Sequence, residues 1–162
     1  VSGNGDGESG SDAGGTYTLL VDLAAPATVE VGALGACRFD AGTYAYTGSA
    51  LGPGGFSRVD RHRRTARGDN DVRHWHVDYL LGHPDARLDR VVRSVGVDVE
   101  CAVASRLPAG PLDGFGASDC DCASHLAAGS ADAGGFIQRV RSAHEAAVSG
   151  TDGRVDVVPG TI

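Results

Sequence analysis

Apolar and polar positions alternate with two different periods along this chain, and the changes of period divide it into elements. TYTLLVDL (16–23) is β-branched and apolar with Pro26 close behind, and reads as a strand ended by a turn. ATVEVG (27–32) puts Val29 and Val31 on one face, the pattern of a half-buried strand. ALGACRFDAG (33–42) is a glycine-rich turn with a short pairing piece. TYAYTGS (43–49) is a further strand, on which Tyr44, Tyr46 and Gly48 share a face. LGPGG (51–55) breaks the pattern, and the spacing beyond it predicts a helix over 56–64 with Arg58 and His62 one turn apart. After the polar loop ARGDND (66–71), HWHVDYLLGH (74–83) reads as a short amphipathic helix with Trp75 and Tyr79 in its apolar face, stopped by Pro84.

ARLDRVVRSVGV (86–97) reads as a strand, and VECAVASRL (99–107) as a helix with the stripe Val99, Ala102, Val103 and Leu107. PLDGFGASDCDCASHLAAGS (111–130) is loop-like. GGFIQRVRSAHEAAVSG (134–150) is helical by the spacing of Phe136, Val140, Ala143 and Ala147, and VDVV (155–158) adds a last strand. The order β-β-β-α-α-β-α implies an α+β fold, a small and mostly antiparallel sheet flanked by helices.

The 162 residues suffice for one well-cored domain. Residues 1–14 are too polar to bury a core and read as a disordered leader. Residues 15–130 form the expected domain, and 131–162 a C-terminal helix and tail packed on it. All 14 basic side chains are arginine, the acids are 17 aspartates and 4 glutamates, and the net charge is −7. This mix resembles that of halophilic proteins from salt-accumulating archaea, whose acidic surfaces stay hydrated in concentrated salt. Such a charge, in such a solvent, removes long-range attraction to nucleic acid, so any binding would use short-range phosphate contacts and a metal. The segment RVDRHRRTAR (58–67) is the local exception, with five of the 14 arginines. No apolar run approaches the roughly 20 residues of a membrane span. With no basic-then-apolar start either, the expected compartment is cytoplasmic, where the four cysteines would be reduced thiols or metal ligands.

Phenols, a guanidinium and an imidazole gathered between Gly42 and His62 suggest phosphate chemistry. Gly15-Thr16-Tyr17 on the first strand, Tyr46-Thr47-Gly48 followed by Ser49 on a later one, and Arg58 with His62 on the next helix give the chain a likeness to the GIY-YIG nucleases. More narrowly it resembles a branch of uncharacterised endonuclease-like domains from archaea and bacteria, sometimes found beside a DNA-repair glycosylase. In that branch YAYTGSALGPGG, HWHVDYLL, the pair Glu100-Cys101 and GFGASDCDCASHL recur in this order. The resemblance covers roughly Gly15 to Leu126. The chain departs from the usual pattern in two ways. Tyr17 and Tyr46 are separated by 28 residues, so the extra hairpin from about Val29 to Phe39 must leave their strands adjacent. The second motif carries Thr47 where an aliphatic residue is usual.

The resemblance implies a metal-dependent endonuclease that hydrolyses nucleic-acid phosphodiesters, with DNA the expected partner. Glu100 would hold one Mg²⁺ or Mn²⁺, an ion that keeps several waters and needs few protein ligands. Arg58 would grip the scissile phosphate through its planar donors. Tyr17 would act as general base or position the attacking water, with Tyr46 as its partner and His62 polarising it or relaying a proton. A free phenol, with a pKa of about 10, is a poor base at neutral pH. The site therefore needs a stabilised phenolate or a tyrosine that only orients water. Tyr17, Tyr46, Arg58 and Glu100 are expected to converge.

Two other groups invite metal readings. Cys120, Cys122 and His125 would supply soft ligands to a Zn²⁺ ion, with Asp119, Cys101 or His74 as a fourth. His74, His76 and Asp78 could meet at one ion only in an extended segment. The competing class is a non-catalytic module that binds nucleic acid or protein, kept folded by the Cys/His loop.

Overall fold

The computed structural model describes residues 14–52, 54–69, 73, 76–108, 125–129 and 133–160. The leader, His74, Trp75, Asp119, Cys120 and Cys122 lie outside them. The strands are β1 (Gly15–Leu23), β2 (Ala27–Glu30), β3 (Ala36–Phe39), β4 (Gly42–Ser49), β5 (Ala86–Val95), β6 (Leu126–Ala128) and β7 (Arg154–Pro159). The helices are α1 (Ser57–Ala66), α2 (His76–Leu81), α3 (Glu100–Ala104) and α4 (Ala133–Val148).

Five strands pair antiparallel in the order β6-β4-β1-β5-β7. The central strand β1 is buried along almost its whole length, which explains its continuous apolar run. The hairpin between the two tyrosine motifs does not enter this sheet. β2 and β3 pair with each other alone, and β1 lies directly against β4, with Tyr17 opposite Gly48 and Leu19 opposite Tyr46.

Period-two alternation then sorts the two faces. On the front, Tyr17, Leu19, Val21, Tyr44 and Tyr46 pack with Phe56 and Val59 near and on α1, with Val77, Leu80 and Leu81 of α2, and with Phe39 of the hairpin. On the back, Leu20, Ala45, Val92 and Ala127 receive Phe136 and Val140 of α4. Residues 133–160 are thus built into the domain, through α4 on the back face and β7 on the edge of β5. Arg63 ties α1 to the end of β7. Its guanidinium donates to Asp60 Oδ1 at 2.7 Å and to the Pro159 carbonyl at 2.8 Å.

Two elements differ from their sequence patterns. The helix expected over 99–107 is regular only from Glu100 to Ala104, because beyond it Arg106 and Leu107 donate three residues back, to Val103 and Ala104, as Pro108 approaches. Within the expected loop 111–130, Leu126–Ala128 forms β6, held by pairing of Leu126 with Tyr46 and Ala128 with Tyr44.

The back face also contains a polar group that the apolar spacing of α4 does not reveal. His144 is fully buried, with Nε2 2.7 Å from Thr18 Oγ1 and Nδ1 2.6 Å from Ser94 Oγ, and Thr18 in turn bonds Thr47 Oγ1 at 2.9 Å. Hydroxyls can serve a neutral ring on both sides, whereas burial penalises the imidazolium and takes its pKa from 6.5 down to about 4. The unfolded chain therefore binds more protons between these values, and stability present above pH 6.5 is lost as pH falls toward 4. This loss is on the order of 3 kcal/mol. Chemical denaturation at the two pH values should show His144→Gln losing less stability than wild type by about this amount. Equal losses would mean that the buried ring does not titrate as described.

Candidate active site

The front face of β1 and β4 carries both tyrosines of the paired motifs, and Gly48 creates room for one of them. A Cβ on Gly48 would lie 2.7 Å from the Tyr17 hydroxyl and 3.2 Å from the Tyr46 ring. The Tyr17 phenol therefore crosses β4 at a position without a side chain. Tyr44, two residues along the same face, donates its hydroxyl to the Asp40 carbonyl at 2.6 Å and supports the hairpin.

Helix α1 supplies the next groups. It follows the glycine-rich turn, where Gly54 and Gly55 take positive φ angles of 87° and 51°, conformations disfavoured with a Cβ. Val59 and His62 face the sheet, and Arg58 stands half-buried beside them. Arg58 Nη1 donates to the Ser49 carbonyl at the end of β4, and its charge acts on the nearby Tyr17 phenol. His62 is buried with its ring centroid 5.5 Å from that of Tyr17 and 6.5 Å from that of Tyr46.

A carboxylate on α2 fixes the imidazole. Asp78 Oδ1 lies 3.3 Å from His62 Nδ1, and both side chains are fully buried. Burial, the largest influence, lowers the His62 pKa, although Asp78 opposes it. A neutral ring facing a carboxylate carries its proton on Nδ1, leaving Nε2 as the acceptor. Tyr17 accordingly donates its hydroxyl to His62 Nε2, at 2.9 Å. Asp78, His62 and Tyr17 form a chain that runs from the core to the front of the site. Asp78 thus faces His62, while His74 of the metal reading lies outside the described residues.

Glu100 approaches from the opposite side. Thr16 on β1 accepts from the Val99 amide at 2.8 Å and donates to the Val97 carbonyl at 3.1 Å, which fastens the entry to α3 beside Tyr17. The Glu100 charge acts on both tyrosines, raising their pKa values together with burial, which is the larger cause in each. Arg58 opposes these shifts without overcoming them, so both phenols stay protonated near neutral pH. Both tyrosines thus lie within electrostatic reach of Arg58 and Glu100, and Tyr17 is hydrogen-bonded to His62.

His125 also belongs to this group. Its carbonyl accepts from the Thr47 amide at 3.0 Å, and its Nδ1 lies 3.3 Å from Glu100 Oε2. It is turned toward Glu100, while Cys120 and Cys122 of the proposed Zn²⁺ set lie outside the described residues and Cys101 is exposed. Among the described residues no group of three or more His, Cys, Asp or Glu side chains converges on one point. A hard divalent ion that retains several waters needs fewer protein ligands. The Glu100 side chain, one-quarter exposed, offers it a carboxylate with an open side.

Fold and site together define an α+β domain in which two paired strands present tyrosines to an Arg/His helix and a glutamate. A family model described as a domain of unknown function, DUF123, matches residues 16–149, and the chain belongs to that family. No curated protein and no solved structure matches it.

Substituting Gly48→Ala tests the packing of the pair. The new methyl would force away a Tyr17 hydroxyl held by His62, and overpacking of this kind costs about 1–3 kcal/mol. Denaturation should register that loss, and the His62 ring signals should shift in NMR spectra. A variant as stable as wild type with an unmoved ring would show that Gly48 does not provide the room.

Proposed function

We propose that this domain is a metal-dependent endonuclease of the GIY-YIG type, which hydrolyses phosphodiester bonds in nucleic acid, with DNA as the substrate to test first. One observation carries the reading. Tyr17 is hydrogen-bonded to a neutral imidazole and lies in the field of an arginine, beside a second tyrosine and within range of a partly exposed glutamate. Core packing explains two strand tyrosines but gives no reason for the accompanying guanidinium and carboxylate.

Tyr17 would not act as a resting phenolate, because burial holds its pKa well above the ordinary value. Instead it can accept a proton from the attacking water while passing its own to His62 Nε2. The resulting imidazolium is stabilised by Asp78, which already receives the Nδ1 proton. The water oxygen bonds to phosphorus, the bond to the departing nucleotide oxygen breaks, and that oxygen takes up a proton from solvent. Arg58 stabilises the negative charge developing on the phosphoryl oxygens. Tyr46 closes the side of the site next to Glu100. A divalent ion bound at Glu100 would supply Lewis-acid stabilisation of the same charge. With a net charge of −7, affinity would come from short-range contacts, and the half-buried Arg61 and exposed Arg64 on α1 extend the positive surface beyond Arg58.

The test is cleavage of labelled DNA and RNA by purified protein with Mg²⁺ or Mn²⁺ in concentrated KCl. Glu100→Gln should lower the rate by roughly 10²-fold or more. Tyr17→Phe should lower it by roughly 10²–10⁴-fold. Undiminished cleavage by Glu100→Gln would overturn the assignment, and tight binding with no cleavage would favour a non-catalytic nucleic-acid module.

The pH profile probes the Tyr17–His62 step separately. Its acid limb should reflect protonation of His62 and lie below pH 6.5, because burial lowers that pKa. Asp78 works in the opposite direction, so Asp78→Asn should move the limb to still lower pH while slowing the reaction. An acid limb unmoved in Asp78→Asn would show that His62 does not take the proton.

A further inference from the structure

We propose that His125 is a second protein ligand at the Glu100 site, making it a mixed oxygen–nitrogen site for a first-row divalent ion, with Mn²⁺ favoured over Mg²⁺. This rests on the reading of Glu100 as the metal ligand. His125 is 97% buried. Its backbone is pinned to β4 through the Thr47 amide, and the next residue, Leu126, pairs with Tyr46. These two backbone contacts fix the approach of the ring to the site. Its Nδ1 is sealed from solvent and faces Glu100 Oε2 at 3.3 Å.

That separation fits chelation. Two ligands, each about 2.1 Å from an ion, stand about 3.0 Å apart at a right angle and about 3.4 Å apart at the tetrahedral angle. The two atoms could share one ion with almost no movement, and the exposed side of the Glu100 carboxylate leaves room for water to complete its shell. An imidazole beside a carboxylate changes the selectivity of such a site. Mg²⁺ takes oxygen ligands and dehydrates reluctantly, whereas Mn²⁺, Co²⁺ and Zn²⁺ accept nitrogen. Cys120 and Cys122 of the soft set expected around His125 lie outside the described residues, and within them the geometry gives this residue a harder partner.

Direct metal binding is the test, and it does not depend on turnover. Crystals of the wild-type protein soaked in Mn²⁺ should show an anomalous peak within bonding distance of both Glu100 Oε2 and His125 Nδ1. Calorimetry should show Glu100→Gln without measurable Mn²⁺ binding, and His125→Gln with Mn²⁺ affinity reduced roughly tenfold or more. Mg²⁺ affinity should change far less in His125→Gln. A peak at Glu100 alone, with His125→Gln binding Mn²⁺ like wild type, would overturn the role of His125 and leave Glu100 as the ligand. Wild-type Mn²⁺ affinity in Glu100→Gln would overturn both. The soak uses unmodified protein, so it remains decisive if His125→Gln does not fold.

Discussion

The direct pairing of β1 with β4 is the constraint on which the site depends. It sets Tyr17 opposite Gly48 in a register that places the phenol across a residue without a side chain. From there the hydroxyl reaches His62 on α1 in the field of Arg58, and Tyr46 stands diagonally beside it on the same face. A slip of one residue would send every one of these side chains to the back of the sheet. The inserted hairpin preserves this register by pairing only with itself, so the 28 residues between Tyr17 and Tyr46 lengthen the connection without separating the strands.

Burial gives the site its protonation pattern. It keeps Tyr17 and Tyr46 as phenols and His62 as a neutral ring, and the arginine and carboxylates around them adjust these preferences without reversing them. The neutral state is useful, because a chain from phenol to imidazole to carboxylate can shift a proton inward at little cost in charge separation. His144 on the back face is also kept neutral by burial, but hydroxyls surround it where Asp78 and Tyr17 surround His62. Similar burial thus supports a structural ring on one face and a chemically poised one on the other.

The fold class and most elements were legible because strand and helix periods are strong along Thr16–Leu23, Gly42–Ser49, Ala86–Val95 and Phe136–Val148. Arg58 and His62 were visible as a one-turn pair. Their partners were less so. Asp78 sits on a separate helix, in a segment whose neighbouring histidines suggest a metal, and nothing local marks a carboxylate that turns inward to His62. His125 has the spacing of a soft-metal ligand to two cysteines, whereas the pairing of Leu126 with Tyr46 carries it to Glu100. Thr16, which fastens the approach to Glu100, is indistinguishable in sequence from any strand threonine. His144 was hidden because a polar residue beside an apolar stripe reads equally well as an exposed flank. In each case the missing information is a long-range contact, which periodicity does not encode.

The proposed hydrolysis by water activated at Tyr17 is tested most directly by incubating a DNA strand with the purified protein and Mn²⁺ in water enriched in heavy oxygen. The account predicts one solvent oxygen in the phosphate end of the product, and loss of that product in Tyr17→Phe. An intact strand, a product phosphate without solvent oxygen, or equal labelling by Tyr17→Phe would contradict it.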